Sequence, residues 1–337
     1  MSRIPQSPPK ISPITDGLHR PLWSVMIPTY NCSNYLIETI QSVLQQDLGE
    51  KVMQIEVVDD YSTDTNVEEL VNTIGKGRVS YYRQKENVGS LRNFETCINR
   101  ARGTYIHLLH GDDRVKNGYY TAITNLFEKF PTAGAAFSSW DYIKSDGILS
   151  RQSVLEANNP CVLDNWLLKL AEHQRIQYAA ITVKREVYEK LGSFYIGHYG
   201  EDWEMWARIA KVYDMAYIPE YLAQYREHKN SITWQSYISG QNIKDIGKVI
   251  ETIISYLPKK DQNKKLKMAK KKFVYWMLDE ILVYWFSNQN KQMIHNQISS
   301  IWKLHKDSQV MLKIIVIILY VYTEPYRKVL KPFNFHV

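Results

Sequence analysis

The chain has 337 residues, enough for about two domains or one large domain with an extension. Its 45% hydrophobic and 23% charged residues are ordinary globular usage, which excludes a disordered or fibrous chain. The formal charge of +7 suits nucleic acid, an anionic membrane surface or a phosphorylated substrate, and many of the lysines fall late in the sequence.

Three widely spaced cysteines, Cys32, Cys97 and Cys161, form neither a metal knuckle nor a disulfide framework. They point to a reducing compartment, the cytoplasm. Residues 1–21 hold five prolines and no apolar period. They lack the apolar core and cleavage site of a signal peptide, so a mobile tail is expected.

Order is expected from Trp23. Residues 24–28 read as a buried strand, and residues 34–46 as a helix with Leu36, Ile40, Val43 and Leu44 on one face. Residues 54–58 form a second apolar strand. Val67, Leu70, Val71 and Ile74 mark a short helix, and residues 79–83 a third strand. Residues 90–102 are helical, and residues 105–109 are a strand apolar enough to be buried on both faces. Strands alternating with helices at this spacing imply a parallel sheet with right-handed crossovers.

Polar groups collect at the carboxyl ends of three of these strands: Thr29-Tyr30-Asn31, Asp59-Asp60 and Asp112-Asp113. Ligands bind beyond that edge in open α/β sheets. Adjacent carboxylates are costly there unless a cation sits between them and the ligand, and a divalent metal bridging to phosphate does this. The plain alternatives are a solvated Asp-Asp turn and, at the second strand, helix capping, for which Ser62 and Asp64 are candidates. Glycine-rich phosphate loops are absent. The first strand-to-helix turn is TYNCSN rather than GxGxxG, and no GxxxxGK[ST] occurs.

Three blocks, VMIPTYNCSNYLIETIQSVLQQ, EVVDDYSTD and NVGSLRNFETCINRARGTYIHLLHGDD, resemble the nucleotide-sugar half of inverting family 2 glycosyltransferases with the GT-A fold. GHYGEDWEMWARIA and YREHKNSIT resemble that family's acceptor-side Glu-Asp motif and its closing Tyr-Arg-x-His segment. The resemblance spans about residues 22–235. It implies that Pro28, Tyr30, Asp59, Asp60, Arg92 and Asp112 bind the nucleotide. Tyr30 would stack on the base. Asp60 would accept from the ring N–H of a uracil or thymine, with Asp59 on the ribose side or holding the loop. Arg92 would face base or phosphates. Asp112 and Asp113 would hold Mn²⁺ or Mg²⁺, with His228 as a late ligand or diphosphate contact. His110 stands where the family commonly carries a further Asp. Asp202 would be the general base, and Glu201 would assist it or bind acceptor. Trp203 would bind the acceptor sugar, forming a stacking wall with Trp206. WEMWARIA also reads as an amphipathic helix, with Trp206, Ile209 and Ala210 toward the core.

Residues 164–172 and 184–191 look helical, with an apolar strand near 178–183 between them. From about residue 236, Ile243, Ile246, Ile250, Ile253, Ile254 and Leu257 form a helical stripe. Residues 259–272 hold eight lysines, and residues 310–322 are apolar apart from Lys313, followed by Arg327, Lys328 and Lys331. That run is short of the ~20 residues a membrane span needs, which leaves a core helix or an interfacial one.

These observations converge on an α/β protein, a GT-A-type Rossmann-like mostly parallel sheet flanked by helices, with a C-terminal helical extension. The expected division is a tail over 1–21, a catalytic domain over 22–235 and the extension over 236–337. The expected activity is metal-dependent inverting transfer of a sugar, most naturally from a UDP-sugar, to a hydroxyl of a glycan or lipid-linked acceptor, as in bacterial polysaccharide biosynthesis. The expected location is the cytoplasm, or peripheral on the inner face of the plasma membrane. Nucleic acid is not an expected partner. A non-catalytic nucleotide-sugar-binding or scaffold protein on the same fold is the alternative; His110 favours it and Asp202 opposes it. A nucleotidyltransferase would carry a Gly-rich, Arg-containing loop where TYNCSN stands.

Overall fold

A computed structural model of the chain describes residues 2–323. Arg327, Lys328 and Lys331 lie outside the described residues. The chain divides into two compact units. The first comprises the N-terminal segment through Leu167, then Arg175–Gly197 and Glu201–His228; the second comprises Leu168–Gln174, His198–Gly200 and the chain from Lys229.

In the first unit the alternation read from the sequence is present as β1 (Trp23–Thr29), α1 (Ser33–Leu44), β2 (Met53–Asp59), α2 (Val67–Gly75), β3 (Ser80–Arg83), α3 (Ser90–Arg100) and β4 (Tyr105–Leu108). β1 is buried at every position and pairs in parallel with β2 on one side and β4 on the other. β2 pairs in parallel with β3, whose mostly exposed residues mark the sheet edge. Helix α1 buries Leu36, Ile40 and Val43. The cap of α2 is Asn66, whose side chain accepts from Glu69 N. Ser62 and Asp64 do not cap it. Ser62 Oγ accepts from Asn31 N and Asp64 from Ser33 N, so both fasten the loop after β2 to the loop after β1.

The chain continues through β5 (Arg114–Val115), α4 (Tyr119–Lys129), β6 (Ala133–Lys144), β7 (Leu149–Gln152), β8 (Cys161–Val162), α5 (Trp166–Leu170), a 3₁₀ turn at Tyr178–Ala180, β9 (Ile181–Lys184), α6 (Arg185–Leu191), α7 (Glu201–Ala210) and β10 (Asp214–Glu227). The strand order is β3-β2-β1-β4-β9-β6-β10-β5, with β7 on β6 and β8 on β10. The long β6–β10 ladder is parallel, and the antiparallel ladders are short. The sheet is therefore mostly parallel. β10 carries Pro219 by skipping register between Ile218 and Tyr221 and again before Ala223, because proline cannot donate to a ladder. The expected helix over 164–172 is the shorter α5, and the strand expected near 178–183 begins as a 3₁₀ turn.

The proline-rich opening is not the loose tail its composition suggests. Pro5 and Ile11 are buried, Ser193 N and Ile196 N donate to the carbonyls of Pro9 and Pro5, and Arg102 pairs with Asp16 at 2.7 Å. The prolines hold the segment extended, so its carbonyls are presented to the loops beneath it.

The second unit is helical: α8 (Ile232–Ser239), α9 (Gln241–Ser255), α10 (Lys259–Asn288), α11 (Lys291–Leu304) and α12 (Ser308–Tyr322). It begins at Lys229 rather than at 236, because α8 packs with α9 and α11. The isoleucine stripe of α9 is buried as expected. Buried Gln297 donates to Asn242 and to the Tyr237 carbonyl, tying α11 to α9 and α8. Four of the α10 lysines pair with acids: Lys270 with Glu251, Lys271 with Asp307, and Lys265 and Lys272 with Glu172. In α12, Val310, Ile314, Ile317, Tyr320 and Val321 are buried, and Met311, Leu312, Ile315, Ile318 and Tyr322 are exposed. Among the described residues no helix is long and apolar enough to cross a membrane.

Candidate active site

The parallel strands bring the polar strand ends to one edge. Pro28 and Thr29 sit in register with Val58 and Asp59. The chain then turns at Asn31, whose φ of 47° a short amide side chain tolerates; its Oδ1 accepts from Thr63 N. This leaves Tyr30 half exposed at 50%, its ring open to solvent.

Asp59 is wholly buried. It accepts from Ser62 N, Tyr81 Oη and Arg83 Nη1, at 2.9, 2.8 and 2.9 Å. Of the two roles expected for it, loop support is the one these contacts serve. Asp60 is also buried, and accepts from Val88 N at 2.7 Å and from Gly89 N and Asn87 Nδ2 at 2.9 Å. Burial raises its pKa, against the two backbone N–H groups. Arg92 is not aimed at the acidic turn: it pairs with Glu95 at 2.6 Å and donates to the Ser2 carbonyl.

The turn after β4 carries His110, Gly111, Asp112 and Asp113. Gly111 is required by close approach: a Cβ there would lie 2.7 Å from Thr29 Oγ1 and 2.9 Å from Cys32 Sγ. Arg226, buried in β10, fixes the turn from the other side. Its N–H donates to Asp113 Oδ1 and its Nε to the Asp112 carbonyl, both at 2.8 Å, while Nη2 pairs with Glu38. Thr39 Oγ1 donates to the Asp113 carbonyl. His228 Nε2 meets Asp112 Oδ2 at 2.9 Å.

These contacts leave three groups over. Asp113 Oδ2, His110 Nε2 and His228 Nδ1 are buried with no hydrogen-bond partner among the described residues. Ligand atoms of His110, Asp112 and Asp113 all lie within 4.8 Å of one another. Burial, with the neighbouring Asp112 charge, holds the Asp113 carboxyl well above its ordinary pKa. Burial pushes Asp112 up too, but the hydrogen bond from His228 and the neighbouring imidazoles of His110 and His228 together outweigh it, leaving Asp112 low. His110 is lowered by burial, which leaves a neutral imidazole stacked on Phe94 at 5.0 Å and tilted on Tyr178 at 4.3 Å. Carboxylate oxygens and a neutral ring nitrogen without partners suit a divalent cation. His228, expected as a ligand or a diphosphate contact, meets Asp112 with Nε2 and keeps Nδ1 without a partner among the described residues; the third member of the cluster of possible ligands is His110.

Helix α7 supplies the remaining groups. Burial pushes the Asp202 carboxyl up to about 7, against the N–H of Trp203, which donates to its Oδ1 at 2.7 Å. Glu201 accepts from Tyr178 Oη at 3.2 Å. Tyr178 therefore touches His110 with its ring and Glu201 with its hydroxyl, joining α7 to the acidic turn. Trp203 and Trp206 do not form an open wall. Every residue from Glu201 to Ile209 is buried, because α7 is enclosed on all sides rather than amphipathic, and Trp206 packs on Tyr178 and Phe194.

The sequence reading assigned no role to Arg226, Tyr178 or Phe94. Arg226 lies inside the YREH segment, and a signal could have been drawn from it. Tyr178 and Phe94 are ordinary core aromatics in sequence, and nothing in their spacing marks them.

Comparison with known proteins follows the same lines. The family model described as glycosyl transferase family 2 matches residues 24–192. An uncharacterized protein of Mycobacterium tuberculosis is 26% identical over 70% of this chain and 76% of its own. An uncharacterized glycosyltransferase of Haemophilus influenzae is 25% identical over 62% of this chain and 67% of its own. Chondroitin synthase of Pasteurella multocida is 28% identical over 44% of this chain, a stretch that is 15% of that longer protein. Among solved structures, S. aureus TarS 1–349 in complex with UDP-GlcNAc superposes with a TM-score of 0.61 over 90% of this chain and 88% of that one, at 14% identity, a likeness of fold.

Proposed function

The chain belongs to glycosyl transferase family 2 and is a glycosyltransferase; we propose that it inverts the anomeric centre of a UDP-sugar in transferring it to a hydroxyl of a glycan or lipid-linked acceptor. The observation that carries this reading is Asp202, a carboxylate that burial pushes up to about 7, next in sequence to Glu201, whose carboxylate meets Tyr178 beside an acidic turn with unused buried ligand atoms. A general base works best with a pKa near the operating pH.

In this reading the acceptor hydroxyl gives its proton to Asp202. Its oxygen forms the new bond to the anomeric carbon, and the bond from that carbon to the diphosphate oxygen breaks, the diphosphate keeping the electron pair. Asp112 and Asp113, with His110 beside them, would hold Mn²⁺ or Mg²⁺, which supplies neutralising charge for the diphosphate. Arg226 and His228 hold the two carboxylates in place. Pro28 and Tyr30 form the base platform, Tyr30 by stacking, and Asp60 accepts from the imide N–H of uracil. Asp59 keeps the loop shaped. Glu201, oriented by Tyr178, faces the acceptor. The S. aureus neighbour's UDP-GlcNAc complex supports uridine as the base, and the glycan synthases among the relatives support a carbohydrate acceptor.

Asp202→Asn keeps the shape and removes the basicity. Transfer should fall ~10²-fold or more while UDP affinity in Mn²⁺ stays within about twofold. Unchanged transfer would remove Asp202 from the mechanism.

The location proposed for the enzyme is cytoplasmic, against the inner face of the plasma membrane. The exposed apolar face of α12 and the lysine-rich first half of α10 support this, since an interfacial helix combines an apolar face with nearby cations. Sedimentation with phosphatidylglycerol vesicles should fall on Leu312→Glu with Ile315→Glu, and in high salt. Equal sedimentation of the double variant would remove the membrane from this reading.

A further inference from the structure

Asn87 stands between two charges. Its Nδ2 donates to Asp60 Oδ2 and to the Asp60 carbonyl, each at 2.9 Å, and its Oδ1 accepts from Arg3 Nη2. Arg3 comes from the proline-rich opening and lies across Gly89, where a Cβ would sit 3.0 Å from its Nε. Gly89, at φ 90°, donates its own N–H to Asp60. One residue from Arg3, the Ser2 carbonyl accepts from Arg92 Nε at 3.0 Å.

The far end of this segment is anchored. Ile196 N donates to the Pro5 carbonyl at 3.2 Å and Ser193 N to the Pro9 carbonyl at 2.8 Å. Ile196 sits at φ 85°, a conformation that disfavours a β-branched residue and persists only where the surroundings hold it. Arg3 is thus delivered to Asn87 by a strap fastened at several points.

We propose that Arg3 is a positioning residue for the nucleobase, acting through Asn87 and Asp60. An amide has a donor end and an acceptor end. With its oxygen engaged by Arg3, Asn87 must present its NH₂ to Asp60, so the carboxylate is aimed, and the Arg3 charge works against the burial that raises its pKa. An ionised carboxylate so held accepts from a ring N–H, which uracil and thymine carry at the position between two carbonyls and cytosine lacks. Arg3 therefore sharpens the choice of uridine over cytidine nucleotides. The inference rests on the donor-site reading above.

The test is calorimetry of UDP and CDP with Mn²⁺ for the unaltered full chain, Arg3→Ala and Arg3→Lys, with KM and kcat for the donor. Arg3→Ala should weaken UDP ~10-fold, lower the UDP-to-CDP preference by a similar factor, raise KM and leave kcat and the melting midpoint in place. Arg3→Lys, which keeps a charged donor for Asn87, should restore part of the affinity. If the unaltered chain binds UDP and Arg3→Ala changes neither affinity nor preference, the inference is overturned. A loss in kcat that follows a fallen melting midpoint, with preference unchanged, also overturns it by showing a structural strap only. If the unaltered chain binds neither nucleotide, the donor-site reading falls and the inference with it.

Discussion

Two acidic pairs close two strands of one sheet, and they are opposites. Asp59 and Asp60, after β2, are buried with partners on every carboxylate oxygen: Ser62, Tyr81, Arg83, Asn87, Val88 and Gly89 all donate to them. Asp112 and Asp113, after β4, are held by Arg226 and His228, yet a buried oxygen of Asp113 and the neighbouring His110 Nε2 have no partner among the described residues. A buried carboxylate with a donor on each oxygen is stable without a cation. An unsaturated one beside a second carboxylate is unfavourable without something from outside, because buried charge needs a counter-charge. The difference lies in what the adjacent loops offer: the loop after β2 faces N–H groups, whereas the turn after β4 faces aromatic rings and one arginine.

The contrast breaks if the first pair can be removed cheaply. Asp59→Ala should cost about 3 kcal/mol, measured by urea unfolding, since Tyr81 and the Ser62 N–H lose a buried acceptor and Arg83, itself partly exposed, loses its ion pair. A cost below about 1 kcal/mol would put the two pairs on one footing. The lone carboxylate extends the comparison through pH. Asp202 titrates at about 7 in the fold against 3.8 in the open chain, so the fold prefers its neutral form. Its contribution to stability is full below the open-chain value and is lost as pH rises through about 7. Activity runs the other way: kcat/KM should fall about tenfold per pH unit below 7, ~100-fold by pH 5, and Asp202→Asn should be at least as stable as the parent at pH 8. A flat profile from pH 5 to 8 would contradict this.

The second pair sharpens the contrast through the cation. Asp113→Asn should weaken UDP binding ~10-fold in Mn²⁺, leave binding in chelator unchanged and not lower the melting midpoint, because it removes a buried charge. Equal affinity with Mn²⁺ and with chelator in the parent would remove the cation from the site. The smallest effect is expected for His228→Gln, which keeps a donor for Asp112: cation-supported affinity should drop about threefold, as for a supporting partner of a ligand.

The donor half was legible because its signals are local. β1, β2 and β4 are short apolar runs followed at once by polar residues, and α1 shows its period in four residues. The acceptor half was not. β6 begins AGAAFSSW, small residues with little strand preference, and β10 contains Pro219, which reads as a break until the register shifts accommodate it. Their pairing is long-range, and no local pattern announces it. Site residues followed the same division. Asp112 and Asp113 stand out in the sequence as an adjacent pair, and Asp202 is proposed from the resemblance. Trp203 is enclosed rather than open, because helix position alone does not say which neighbours enclose a side chain. Tyr178, which joins the acidic turn to α7, has no sequence signature, since its role exists only where a 3₁₀ turn meets a helix more than twenty residues later.

Gly111 carries a consequence for how such an enzyme can change. With no side chain there, the acidic turn rests directly on Thr29 and Cys32, so the strand that carries the base platform and the turn that carries the carboxylates are cast as one piece. Neither can drift during divergence without colliding with the other. A change at either contact has to be met by a change at the other.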